Sequence, residues 1–300
     1  MNQANKIGIL YATGAYILWG FLPIYWKLLD AVSAGEILAH RIIWSFVFMI
    51  IVVLSVRKWR PFIHECKVIL RDKKKLIGIS LASVVISMNW LTYIWAVNND
   101  HVIQASLGYY INPLVSILLG MVVLKETLTR RQIFSFILAA IGVINLTVSF
   151  GVFPWVSILL ALTFALYGLL KKTVDISAMF GLTVETIIVT PLALLYLFLF
   201  SGESLSGAVM FSGTGLLLIG AGVATAVPLL LFAFGAKEIP LSMIGFLQYI
   251  APTIMLILGV FVYRETFSTA HLLSFVLIWI ALILYMGATY RRPVRRQAGN

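Results

Sequence analysis

Arg41 and Glu185 are ionisable residues that fall inside long apolar stretches of the chain, at 37–56 and 178–200. A charge within an apolar span is costly, so each is a functional candidate by default. A guanidinium can hold an anionic group, and a carboxylate can carry a coupling proton. The plainer alternative is that each snorkels to the near interface or locks a helix through a buried hydrogen bond. Their places put them at opposite depths, which argues against a direct ion pair.

Amides and phenols gather in two later stretches. Asn89 and Tyr93 are four residues apart and share a helix face, with Trp90 beside them. Gln104, Tyr109, Tyr110 and Asn112 precede Pro113, and Gln248 and Tyr249 precede Pro252. Pro113, Pro191, Pro228 and Pro252 lie within apolar stretches, where each frees a carbonyl and bends a helix. Kinks beside amides are what a cavity for a polar solute needs. The competing use of the amides is to glue helices together, at about 0.6 kcal/mol each. The expected substrate-binding set is therefore Arg41, Asn89, Tyr93, Tyr109, Tyr110, Asn112, Glu185, Gln248 and Tyr249, with the four prolines as hinges. The sequence has no P-loop, H-E-x-x-H or G-x-S-x-G motif, and its histidines (His40, His64, His101, His271) are scattered over loops or helix ends. No reaction centre can be assembled, so no enzyme, cofactor or metal site is expected.

These residues need helices to hold them. The chain has 300 residues, 61% hydrophobic and 11% charged, with mean hydropathy +1.02. A soluble domain carries roughly 25% charge. Ten apolar spans are predicted, at 7–26, 37–56, 76–97, 102–124, 132–150, 155–170, 178–200, 213–236, 241–263 and 270–288. Each is long enough to cross a bilayer, and each must be helical because lipid offers the backbone no partner. The expected class is an all-α integral membrane protein. The first span lacks a small-residue cleavage site and is kept as a span rather than a leader.

The chain is also duplicated. Residues 106–127 (SLGYYINPLVSILLGMVVLKET) superpose on 245–266 (GFLQYIAPTIMLILGVFVYRET) with a constant shift of 139. The shift pairs Tyr110 with Tyr249, Pro113 with Pro252, Gly120 with Gly259, Glu126 with Glu265 and Thr127 with Thr266. Two halves follow, 1–150 and 151–300, meeting at a short turn marked by Gly151 and Pro154. Five spans per half is odd, so the halves enter the membrane in opposite directions, a construction for alternating access. The two Glu-Thr pairs then face opposite compartments and read as helix-end caps or loop locks.

Basic residues set the orientation. Lys6, the run from Arg57 to Lys75, Lys125, Arg130, Arg131, Lys171, Lys172, Lys237 and the tail from Arg291 to Arg296 share one side, leaving Lys27 and Arg264 on the other. Both termini are thus expected in the cytoplasm. That placement, not nucleic acid, accounts for the net charge of +11. Phe62, Ile63, Cys66, Ile69 and Leu70 make an apolar stripe, predicting a short helix on the inner membrane surface. Cys66 is the single cysteine, so no internal disulfide forms. Trp26, Trp59, Trp155, Tyr285 and Tyr290 read as interface anchors. Gly220, Gly222, Ala224 and Ala226 suit tight packing, within one chain or against a second copy, so a homodimer stays open.

The stretches 14–27 (GAYILWGFLPIYWK), 36–44 (EILAHRIIW), 89–98 (NWLTYIWAVN) and 105–113 (ASLGYYINP), with the Gly…basic-Glu-Thr endings, resemble the EamA domains of the drug/metabolite transporter superfamily, and within it the RarD group. The resemblance covers the whole chain. It implies two inverted five-helix EamA repeats and a secondary transporter of the bacterial cytoplasmic membrane, exporting a small metabolite or drug from a central cavity. Small relatives couple to protons through a first-helix glutamate. Here Gly14 and Ala15 occupy the middle of that helix, so facilitated or exchange transport stays open. An intramembrane enzyme acting on a lipid-linked substrate and a channel are the alternatives. The expected partners are a small-molecule solute and the lipid bilayer.

Overall fold

A computed structural model describes residues 3–98, 102–149, 151, 153–200, 211–262 and 268–290. Most of the described residues are helical, with no strand among them. The helices are α1 (Gln3–Lys27), α2 (Ala34–Ser55), α3 (Trp59–Arg71), α4 (Lys73–Asn98), α5 (Val102–Val122), α6 (Arg130–Ser149), α7 (Trp155–Thr173), α8 (Ala178–Phe200), α9 (Gly213–Glu238), α10 (Leu241–Gln248), α11 (Ile250–Ile257) and α12 (Thr269–Tyr290). Among the described residues, nine helical segments are long and apolar enough to cross a membrane, and a shorter apolar stretch, Leu107–Val122, lies in α5. α3 is the short helix predicted between the second and third spans.

Helix starts are set by side chains that satisfy free backbone N–H groups. Ser33 caps α2 and Ser212 caps α9 through their hydroxyls. Asp72 accepts from the amides of Lys74 and Lys75 at the start of α4. Thr129 and Gln132 form a reciprocal capping box at α6, with bonds of 2.9 and 3.3 Å between backbone and side chains. Ser268 and His271 repeat that box at α12, each bond 3.4 Å. Those two boxes are related by the same shift of 139 residues.

The packing exchanges between halves as well. α5 packs on α7 as α1 packs on α10 and α11; α4 packs on α7 as α1 packs on α9; α2 meets α8, and α6 meets α12. Small residues make the closest approaches. At Gly222 of α9 an added Cβ would sit 2.3 Å from the Trp44 backbone of α2. The small-residue stripe thus packs at this point within the chain. Asn145 of α6 donates to Ser274 at 3.0 Å and to the Ala270 carbonyl at 3.3 Å, tying α6 to α12.

One anchor assignment is corrected by burial. Tyr285 is 1% exposed, stacks on Phe246 and donates to Ser242 at 3.3 Å, so it is a core residue. Trp26 lies against the Arg41 guanidinium. His40 is also corrected: it is fully buried inside α2 rather than at a helix end. Glu265, Thr266, Arg264, His101, the tail from Arg291 and the side chains of Gln104 and Tyr290 lie outside the described residues.

Candidate functional site

α2 and α9 are pressed together by Gly222, and polar contacts line that seam. Ser45 donates to the Gly222 carbonyl at 3.0 Å. One turn away, Arg41 Nε donates to Thr225 Oγ1 at 3.0 Å, and the Thr225 hydroxyl in turn donates a hydrogen bond to the Ala221 carbonyl at 2.7 Å. The guanidinium carbon lies 4.6 Å from the Trp26 ring centroid and 5.3 Å from that of Trp90. Arg41 is thus held by cation–π contact and one neutral hydroxyl. Among the described residues no carboxylate lies within ion-pair distance of it. Tyr93 and Tyr109, whose ring centroids are 6.1 Å apart, complete its electrostatic surroundings.

Below Trp90 is a cavity lined by both halves of the chain: Ser45 of α2, Trp90 of α4, Tyr167 of α7, Glu185 and Thr186 of α8, and Ala226 of α9. Its free volume is about 20 Å³, roughly one water's worth. Trp19, Phe164, Tyr167 and Phe232 form an aromatic cluster nearby, with centroid separations from 5.4 to 6.2 Å.

Glu185 closes the end of this cavity nearer the basic loops. Its Oε2 accepts from the Tyr167 hydroxyl at 3.0 Å, and its Oε1 from Lys171 Nζ at 2.8 Å. Tyr167 and Lys171 are four residues apart on α7, so one helix face presents both to the carboxylate. Both members of the ion pair are 5% exposed. On its far side Glu185 lines a second cavity, with Gly78 of α4, Lys171 and Val174 at the end of α7, Gly181 of α8 and Lys237 of α9. Glu185, held by Lys171, is therefore the residue that lines both cavities.

The remaining predicted residues do other work. Asn89 donates to the Leu160 carbonyl at 2.9 Å and to Thr163 at 2.8 Å, tying α4 to α7. Tyr110 donates to the Pro252 carbonyl at 3.3 Å and packs edge-on against Phe275. Asn112 accepts from Ser116 on its own helix at 3.5 Å. Gln248 and Tyr249 are buried at the break between α10 and α11, and Gln248 Oε1 and the Tyr249 hydroxyl have no hydrogen-bond partner among the described residues. Pro252 explains the break, since it cannot donate to the Gln248 carbonyl. Pro113, Pro191 and Pro228 sit inside α5, α8 and α9. Of the sequence-predicted set, Glu185 lines the central cavity, and Arg41, Tyr93 and Tyr109 gather near Trp90.

By sequence Lys171 groups with the basic loop residues, and its place inside the site is not apparent there. The usable signal was Glu185 itself: a carboxylate inside a span demands a counter-ion, and the adjoining span ends in Lys171-Lys172. Lys172 caps the opposite helix end, donating to the Ala236 and Ile239 carbonyls at 3.3 and 2.7 Å. Across the same turn Glu126 accepts from the Leu241 and Ser242 amides at 2.7 and 2.9 Å. The first of the two Glu-Thr pairs is thus a helix-end cap, as its sequence suggested. Lys125, at φ 53°, turns the chain so that the Glu126 amide returns to the Gly120 carbonyl. A Cβ at Gly120 would stand 2.7 Å from Glu126 Oε2. The turn between α9 and α10 is gripped by a cation on the carbonyl end of one helix and a carboxylate on the amide end of the next, as helix dipoles favour.

The EamA-like transporter family model matches residues 6–148 and 154–287. An uncharacterized transporter of Bacillus subtilis, YojE, is 51% identical over 287 residues, covering 95% of each chain. Protein RarD of Escherichia coli is 43% identical over 291 residues, covering 96% of this chain and 97% of that one. A crystal structure of a protein 16% identical superposes with TM-score 0.72 over 95% of this chain and 99% of its own, which shows a shared fold. With two matched repeats, charged residues inside its spans and full-length RarD relatives, the chain belongs to the EamA-like transporter family, in the RarD group.

Proposed function

We propose that the protein is a secondary transporter that exports a small polar or amphipathic solute across the bacterial cytoplasmic membrane by alternating access. The carrying observation is a cavity between helices of the two halves, with Glu185 in its wall and Arg41 stacked on the Trp90 that lines it. The halves are 1–150 and 151–300, read as inverted repeats with both termini in the cytoplasm. A free volume of about 20 Å³ fits an occluded conformation, which must open to load. In this reading Arg41 and Glu185 set charge selectivity. Tyr93, Tyr109, Tyr110, Asn89, Asn112, Gln248 and Tyr249 line the wider cavity of the open states, and the prolines permit the halves to rock.

The test is untargeted metabolite profiling of cells and medium with the gene deleted, restored and overexpressed. A solute that builds up inside the deletion strain and outside the overexpressing strain supports export; the reverse pattern means uptake. No reciprocal change, with the protein confirmed in the membrane, counts against a constitutive small-solute carrier. Normal transport by both Arg41→Ala and Asn112→Ala at normal abundance would overturn the site assignment.

A further inference from the structure

We infer that the second cavity, bounded by Lys171, Lys237 and Glu185, is a loading site for an anionic group, carboxylate or phosphate, which takes the place of Glu185 on Lys171 and so opens the way to the central cavity. The inference rests on the transporter reading and adds the chemical class of the ligand and the place where it enters.

The geometry carries it as follows. Glu185 is the residue shared by the two cavities with Lys171 as its ion partner. A buried ion pair is retained at a large desolvation cost and holds only while each charge keeps a partner. An incoming anion offers Lys171 an equivalent partner, so one ion pair is exchanged for another. A neutral solute offers nothing in return for the charge it would uncover. Glu185 keeps the Tyr167 hydroxyl through the exchange, because that bond uses its other oxygen, and Lys237, which lines the same cavity, supplies the second positive charge that balances the released carboxylate.

The second cavity has the charge to attract such a group. Lys171 is neutralised by Glu185, but Lys237 adds a further cation, and its described hydrogen bond goes to the neutral carbonyl of Val174. Lys172 and Lys75 also act on Lys237. The opposing carboxylate, Asp175, is fully exposed and pairs with Lys75 at 3.6 Å. The free volume there is about 10 Å³, no more than one water, and a Cβ at Gly181 would already stand 3.4 Å from Lys171 Nζ and 3.5 Å from Ile176, so the anion takes its place on the ammonium only as the Glu185 carboxylate leaves it.

The full-length protein in phosphatidylcholine nanodiscs provides the test, with its melting temperature followed against succinate, inorganic phosphate and neutral succinamide. Succinate or phosphate should raise the melting temperature and succinamide should not. Glu185→Gln, which removes the internal competitor, should lower the half-saturating anion concentration at least tenfold, and Lys171→Gln should raise it at least tenfold. Gly181→Val keeps the lysine and crowds its ammonium, so it should match Lys171→Gln and replaces it if that variant gives no cooperative melt. Equal response to succinamide, no response to either anion, or a response that survives these cavity variants overturns the inference. Phosphatidylglycerol nanodiscs distinguish the source. Stabilisation by that lipid that the same variants remove identifies the anion as a lipid headgroup, and stabilisation confined to the free anions identifies a soluble one. A failed binding result leaves the transporter reading untouched, because that stands on the reciprocal change of solute in cells and medium.

Discussion

Lys171 Nζ lies 2.8 Å from Glu185 Oε1, and the two side chains reach each other from neighbouring helices, α7 and α8, with 5% of each exposed. Neither charge could remain there alone. Removing one partner of a buried pair costs about 3–5 kcal/mol, whereas replacing both with apolar groups of similar volume is close to neutral. Lys171→Met and Glu185→Leu should therefore each lower the melting temperature of the purified protein sharply, and the double variant should recover most of the loss. A double variant no better than the singles would show that the pair's coupling does not set the stability of this region.

Glu126 supplies both carboxylate oxygens to the first amides of α10. Glu126→Ala removes the cap and leaves two amides without a partner, a loss of about 1–2 kcal/mol. Glu126→Gln keeps an acceptor oxygen and should lose about half as much. Hydrogen exchange at the amides of Leu241 and Ser242 is the direct reading: protection should fall in the alanine variant, and unchanged protection would refute the cap.

Gly222 lets α2 and α9 touch backbone to backbone. Gly222→Val would drive side-chain atoms into Trp44 and Ser45, where even a Cβ lies 2.3 Å from the nearest backbone atom. Overpacking of this kind costs about 1–3 kcal/mol. A melting curve should show the loss, together with loss of the Ser45 bond to the Gly222 carbonyl. A neutral outcome would mean that the helices separate without penalty.

Arg41 tests side-chain shape against charge. Lysine keeps the charge but has no Nε to reach Thr225 and no planar group to lie between Trp26 and Trp90. Arg41→Lys should reduce solute export at least tenfold at equal membrane abundance, nearly as much as Arg41→Gln. Full export by the lysine variant would reduce the residue's role to a positive charge.

Cys66 reports on orientation. It lies on α3 between the buried Phe62 and Ile69, and burial, with a smaller contribution from Glu65, pushes its thiol up from the ordinary range. A raised thiol pKa means less thiolate at neutral pH, so maleimide labelling should be slower than for free cysteine at pH 7. It should climb about tenfold per pH unit until the pH passes that pKa. In intact cells a permeant maleimide should label it and an impermeant one should not, if α3 lies in the cytoplasm. Labelling by both would reverse the proposed topology.

What the sequence determined by itself is the part that one-dimensional periodicity and solvent preference control. Runs of apolar residues can do little but span a bilayer as helices, and the start and end of 178–200 were legible to the residue because polar segments flank it. The repeat was legible because Pro113 and Pro252, and Gly120 and Gly259, recur at one spacing. Arg41 and Glu185 were legible as candidates because a charge inside an apolar run has no cheap explanation. The partners were not legible, because a partner is chosen by which faces meet, and that depends on the rotation of each helix about its axis. Only the packing turned Lys171 inward onto Glu185 and sent the Asn89 amide to α7 rather than into the cavity. It also buried Tyr285 against Phe246 and brought Glu126 across the repeat boundary to α10. Those contacts join residues as much as 116 positions apart, and no local pattern encodes them.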